Sequence, residues 1–308
     1  MVCITNLGMH GIYLAITFRI LEKRSKGIMT YSEFKTRMTE DVKKYMSENH
    51  PGYEVSLQNV TKVNRDFVEM IAISNKDTHE GPAIDVKKLW DDANRRGMSY
   101  EEMSREVMKR LDLTLKEVPE VVLDDLIDFK SRVILTLINT EKNQNILPYV
   151  PHRTYYEFSI VCRFIAHEDE EATTSGIVTN KMLEKAGYTE EELYKFAYEN
   201  TRKDVGISKM FGMYVLTTKR RMYGAASILF PEMVKEIADH CGCDLYLIPS
   251  STCEWMDVPV RTISGSGGAA EVNEMIREAN SVAVEEEEIL GERCYYYDYK
   301  TGEIRLAQ

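Results

Sequence analysis

Apolar positions change their period several times along the chain, and each change marks an element. Tyr31, Phe34, Met38, Val42 and Tyr45 recur at the spacing of one helical face, which predicts a helix over about 30–47. Thr30 with Glu33 gives that helix a capping box, each side chain serving the other's backbone N–H. His50-Pro51-Gly52 breaks it. Tyr53, Val55 and Leu57 then alternate with Glu54, Ser56 and Gln58, the two-residue period of a half-buried strand. Asn64-Arg65-Asp66 marks a turn, and Phe67–Ile73 reads as the returning strand. The chain thus opens on a helix followed by a hairpin.

Ile84–Arg96 has helical spacing. Ser99 with Glu102 is a second capping box, spanned by Met98 and Met103, and Met103, Val107 and Leu111 continue the apolar face. Pro119 suits the first position of a helix carrying Val122, Leu126 and Phe129. Val133–Ile138 is a short apolar run that fits helix and strand equally. Pro148 and Pro151 bracket a turn, Phe158–Ile165 reads as a buried strand, and Ser175–Thr179 is its expected partner beyond the acidic turn His167–Glu171. A short helix stops at Gly187, and a second carries the capping box Thr189/Glu192 with a Tyr188–Leu193 staple.

Met213–Thr217 and Ala225–Phe230 are expected as strands around the basic turn Lys219-Arg220-Arg221. Pro231 starts a helix with Val234, Ile237, Ala238 and Cys241 on one face and Gly242 at its stop. Leu245–Ile248 is a strand, Ala269–Asn280 a helix and Glu285–Glu288 a charged turn. Tyr295–Tyr299 and Glu303–Leu306 close the chain as a hairpin around Thr301-Gly302. Helices and strands are mixed and several strands are joined by short turns. That predicts an α+β fold of mostly antiparallel sheets packed with helices, not a doubly wound parallel sheet.

Five stretches stand out: LPYVPHRTYYEFSIVCRF from Leu147, VTNKMLEKAG from Val178, TEEELYKFAYENT from Thr189, MYVLTTKRRMYGAA from Met213 and LYLIPSSTCEW from Leu245. On these stretches, the chain from Met29 onward resembles an uncharacterised family of proteins from gut Clostridia, a domain of unknown function. The resemblance implies a soluble bacterial protein with no established activity, and it implies histidine where this chain has Cys253. The expected organisation is an extension over 1–28 outside the fold, an N-terminal α+β region over 29–140, and a C-terminal α+β region over 141–308 that carries the family-like stretches.

Composition narrows the partners. The 308 residues carry 39 basic and 50 acidic side chains, a net charge of −11, which repels phosphate backbones and argues against nucleic acid. The six cysteines are too few for a disulfide framework in a chain this long, so the thiols are read as reduced and the compartment as cytoplasmic. Ile4–Leu21 is interrupted by Asn6, His10 and Arg19, and its positive flank Lys23, Arg24 and Lys26 follows the apolar run, so neither a membrane span nor a signal peptide is expected.

Motif chemistry is sparse. There is no G-x-S-x-G elbow, H-E-x-x-H, P-loop or S-x-x-K. His152 is the natural candidate base and Arg153 its neighbour, held by the stiff Pro148–Pro151 turn. The plainer reading is that Arg153 pins that turn to a carboxylate or to main-chain carbonyls. Ser250 and Ser251 follow a strand, where a nucleophile could sit, and Glu254 completes a candidate catalytic set; serines there are also ordinary turn residues. His240, Cys241, Cys243 and Cys253 are metal-capable, but C-x-C is tighter than the usual structural zinc spacing, and Cys241 falls on an apolar helix face. Gly265–Ala270 fits G-x-G-x-x-A, yet too little chain follows for a nucleotide-binding sheet, so no cofactor is expected. Asn180 is expected to start its helix, and Asn200 and Thr201 to end theirs. Tyr295–Tyr297 fits a binding surface or a half-buried strand alike. The function these readings favour is a non-catalytic module binding a protein or a small ligand. The alternative is a hydrolase-like enzyme in which Ser250, Ser251 or Glu254 converges on His152 and Arg153, and one shared pocket would distinguish it.

Overall fold

The computed structural model describes residues 29–77, 81–117, 128–168, 173–263 and 268–308. The extension over 1–28, the helix expected from Pro119, the acidic residues after Glu168 and Gly265–Gly267 of the glycine-rich motif lie outside them. The fold is α+β. By packing, the described residues form two units: one within Met1–Val60 and Val68–Val118, the other within Thr61–Phe67 and Pro119–Gln308.

The first unit is built on helix α1, Tyr31–Asn49, whose capping box forms as expected, with Glu33 donating its N–H to Thr30 Oγ1 at 3.3 Å and Thr30 donating its N–H to Glu33 Oε2 at 2.7 Å. Strands β1 (Tyr53–Lys62), β2 (Arg65–Asn75) and β3 (Ala83–Asp85) form one sheet in that order. Helices α2 (Val86–Arg96) and α3 (Tyr100–Glu117) follow. The helix expected from Ile84 starts two residues later. Ile84 pairs with Ile71, and Asp85 caps α2 by accepting the N–H of Lys88. Phe34, Met38, Val42 and Met46 of α1 pack against Ile71, Val86, Met103 and Val107 to make this unit's core.

In the second unit, the short helix α4 (Phe129–Arg132) leads into strand β4, Val133–Asn139. The run whose period was ambiguous is therefore a strand. β5 (His152–Tyr155), β6 (Phe158–Glu168) and β7 (Thr173–Ile177) complete a four-stranded antiparallel sheet, in which β6 lies between β4 and the pair β5 and β7. Helix α5, Asn180–Ala186, is capped by Thr179, and Asn180 is its first residue. Helix α6, Glu190–Asp204, forms its Thr189/Glu192 capping box and lies against the sheet.

Asn200 and Thr201 do not terminate α6. Asn200 donates to the carbonyls of Lys130 and Val133, both at 2.9 Å, while Thr201 Oγ1 accepts the N–H of Leu135 at 2.8 Å. Thr201 completes its own bonding by donating to Ala197 O at 2.7 Å. These two residues satisfy backbone groups of α4 and of the outer side of β4, which no strand among the described residues covers.

The larger sheet runs β13-β12-β10-β11-β9-β8, with β8 Val205–Met210, β9 Met213–Thr218, β10 Leu245–Ser251, β11 Glu254–Pro259, β12 Tyr295–Tyr297 and β13 Ile304–Leu306. Between β9 and β10 lie a 3₁₀ segment, Gly224–Leu229, and helix α7, Pro231–Cys241. The strand expected over Ala225–Phe230 is this 3₁₀ segment. Ala225, Ala226, Ser227 and Ile228 are all buried, so the run has no polar side whose spacing could reveal its period. Leu245, Leu247, Trp255, Tyr295 and Tyr297 point from one face toward α7, and Tyr246 and Val258 from the other toward helix α8, Gly268–Val282. Among the described residues no helix is long and apolar enough to cross a membrane.

Candidate functional site

The His152-Arg153 pair lies in strand β5 itself. His152 stands opposite Val161 and Arg153 opposite Ile160, so the pleat sends the two side chains to opposite faces of the sheet. On one face His152 is exposed, with Nδ1 3.0 Å from the Val150 carbonyl, so this nitrogen carries the donated proton. On the other face the Arg153 guanidinium stacks 3.9 Å over the ring of Tyr194 and donates to Glu191 Oε1 at 2.9 Å. Sequence alternation alone could have shown that two adjacent strand residues cannot share one site.

Arg153 lines an open groove of about 600 Å³ beside α6. Its floor is apolar, from Leu135, Ile160 and Leu229, with the rings of Tyr194 and Tyr198 along the helix. The charged rim is mixed: Lys195 adds to Arg153, and Glu191 and Glu199 oppose them. Burial holds the Tyr194 hydroxyl well above its ordinary value, so it stays protonated and donates to the Ile160 carbonyl at 3.0 Å.

Ser250, Ser251, Cys253 and Glu254 gather at the hairpin joining β10 to β11. Ser250 Oγ is 3.4 Å from Glu254 Oε1, and Ser251 Oγ accepts the N–H of Cys253 at 3.0 Å. The rest of the hairpin is bound to the segment after β9. Thr217 donates to the Cys253 carbonyl at 2.6 Å, and the Trp255 indole N–H donates to Ala225 O at 2.8 Å. Gly224 is required there, because a Cβ would lie 2.3 Å from the Cys253 carbonyl oxygen. The stretches MYGAA and STCEW are thus two halves of one lock. Among the described residues no hydrogen bond or ion pair joins this hairpin to His152 or Arg153.

The metal-capable residues are placed in different surroundings. Cys241 is buried beside Val234, Ile237 and Ala238, and the His240 ring packs 5.8 Å from that of Tyr214. Cys253 belongs to the hairpin lock. Burial raises the thiols of Cys243 and Cys253, which keeps them protonated. Among the described residues no group of three or more His, Cys, Asp or Glu is placed to hold a metal ion.

Two charged residues that sequence reasoning passed over are the most unusual in the unit. Asp257, on β11 opposite Leu247 and Tyr214, is 0% exposed, and neither carboxylate oxygen has a hydrogen-bond partner among the described residues. Burial pushes its pKa up to about 8. Arg163, on β6 opposite Ile134 and Ile177, is half-buried and meets no carboxylate among the described residues. The available signal was a lone charge within an apolar run: Arg163 in FSIVCRFIA, and Asp257 between Met256 and Val258.

The family described as "Family of unknown function (DUF5688)" matches residues 31–211 and 204–299. No curated protein and no solved structure matches the chain.

Proposed function

Since this chain belongs to the DUF5688 family, whose description assigns no activity, its role rests on its own residues, and we propose that it is a non-catalytic binding module. The groove beside α6 receives a small ligand, or a segment of a protein, with an apolar body and a carboxylate. One observation carries this reading: Arg153 is already oriented by stacking on Tyr194, while both its acidic partners are exposed, Glu191 (86%) at 2.9 Å and Glu190 (51%) at 4.0 Å. An exposed pair of this kind is worth about 0–1 kcal/mol, so a ligand carboxylate can take the place of Glu191 at little cost. The apolar floor then supplies the area that a ligand body needs.

The same reading makes the protein bacterial and cytoplasmic, with no nucleic-acid or membrane partner. The net charge of −11 argues against a nucleic-acid partner, and Cys162, Cys241, Cys243, Cys253 and Cys294, all free thiols, fit a reducing compartment.

N-acetylleucine and its neutral amide, titrated into labelled protein and followed by backbone amide shifts, test the proposal. The acid is expected to produce saturable shifts along α6 and β5, stronger than those of the amide. Arg153→Ala removes the difference between the two ligands while costing only about 0.5–2 kcal/mol of stability, the sum of an exposed ion pair and one cation–π contact. Equal responses to acid and amide, or shifts confined to other elements, would overturn it.

A further inference from the structure

The face of the smaller sheet opposite the groove holds a cation whose bonding is incomplete. A guanidinium has five N–H donors. Those of Arg163 reach Ser175 Oγ from Nε at 3.3 Å and the Ser175 carbonyl from Nη2 at 3.5 Å, both long. The guanidinium also stacks 4.3 Å over the Tyr223 ring. Burial works against its charge, and only Tyr223 works for it. Glu168, further along β6, is matched by Arg220 at 2.6 Å.

A buried cation is ordinarily paired. Here the guanidinium is held by Ser175 and by the Tyr223 side chain, and among the described residues no carboxylate neutralises it. The hydroxyls of Ser175 and Tyr223 bond to each other at 2.8 Å. One proton serves that bond, so the other hydroxyl has a proton to give to a third group. Tyr223 is held in place for this by a left-handed backbone, φ 56°, and by the closely packed Gly224 after it. Its hydroxyl is also within hydrogen-bonding reach of the guanidinium, so one bound group can meet both. A planar carboxylate would fill the fork alone. A tetrahedral oxyanion has a further oxygen for the hydroxyl.

We propose that Arg163, Ser175 and Tyr223 form a receiving site for the phosphoryl group of a small molecule. The site is independent of the groove beside α6, which lies on the other face of the same sheet. By register, His152 stands on this face opposite Val161, at the end of β6 away from Ser175, which stands opposite Ile165, so it takes no part in the site.

Inorganic phosphate is the probe, with acetate as the planar comparison, both at constant ionic strength in chloride. Binding is read from the amide shifts of Ser175, Ile177 and Tyr223. Thermal shift is unsuitable, because phosphate stabilises proteins generally by exclusion from their surface. Phosphate is expected to give saturable shifts at these amides and to bind more tightly than acetate. Arg163→Lys keeps the charge without the fork and weakens binding roughly tenfold. Tyr223→Phe keeps the stacked ring and weakens binding as well. Arg163→Gln abolishes it; if that variant does not fold, the Lys and Phe variants decide. Absence of saturable shifts, acetate binding as tightly as phosphate, or affinity unchanged in both Arg163→Lys and Tyr223→Phe would each overturn the site.

Discussion

Replacing Asp257 by asparagine should remove a large pH dependence from the stability of the protein. The carboxyl is fully buried on β11 without a hydrogen-bond partner among the described residues, and its pKa stands at about 8 against the ordinary 3.8. A raised carboxyl binds its proton more tightly in the folded state than in the unfolded chain. Its contribution is therefore fully favourable below about pH 4, is lost progressively as pH rises toward 8, and changes no further above that. Each pH unit in that window is worth about 1.4 kcal/mol, so the whole span is at most ~6 kcal/mol, and the part between pH 5 and pH 8 is ~4 kcal/mol. Asparagine keeps the shape and does not titrate. Urea unfolding at half-unit steps from pH 5 to pH 8 gives the stability of each protein by linear extrapolation. The variant should gain on wild type steadily with pH, by several kcal/mol at the top of the range. A difference that stays flat would show that the carboxylate is already ionised in the folded protein, and the reasoning from burial would fail.

Thr201→Val should cost about 1–3 kcal/mol, because it leaves the Leu135 N–H buried without an acceptor, whereas Thr201→Ser should restore most of that loss; denaturant melts of the two variants measure it. Gly224→Ala should destabilise by more than ~3 kcal/mol or prevent folding, since its Cβ meets backbone at 2.3 Å (Cys253 O) and 2.7 Å (Thr218 N), neither of which can yield like a side chain. A variant melting within a few degrees of wild type would refute the lock between the two stretches.

Much of the fold was legible because local signals and tertiary packing agree. The Thr30/Glu33, Ser99/Glu102 and Thr189/Glu192 pairs each mark a helix start, and the backbone of each first turn bonds as the spacing requires. The closing hairpin appeared from its turn residues, and β12 and β13 pair across it. Strands β8 and β11 were not legible. Val205 follows α6 directly, with no breaker between them, and β11 carries Asp257 at an inward position where the period demands an apolar residue. The candidate residues were legible as chemistry but not as geometry. A strand's pleat separates His152 from Arg153, and Ser250 with Glu254 is committed to a hairpin whose partners lie far away in sequence. Nothing in the identity of Arg163 or Asp257 reveals that its environment withholds a counterion; only the packing does.

The sealing of β4 by Asn200 and Thr201 bears on what happens when the protein opens locally. The strand VILTLIN is buried over six consecutive residues, has high β-propensity, and contains no charge, proline or glycine. Such a segment, once its outer edge is free, is a template for pairing with another chain. Helix α6 holds that edge with two side-chain hydrogen bonds, to the Val133 carbonyl and from the Leu135 N–H. Fraying of α6 would therefore turn this buried edge strand of the smaller sheet into a site of self-association, and two polar side chains on a helix guard solubility as well as shape.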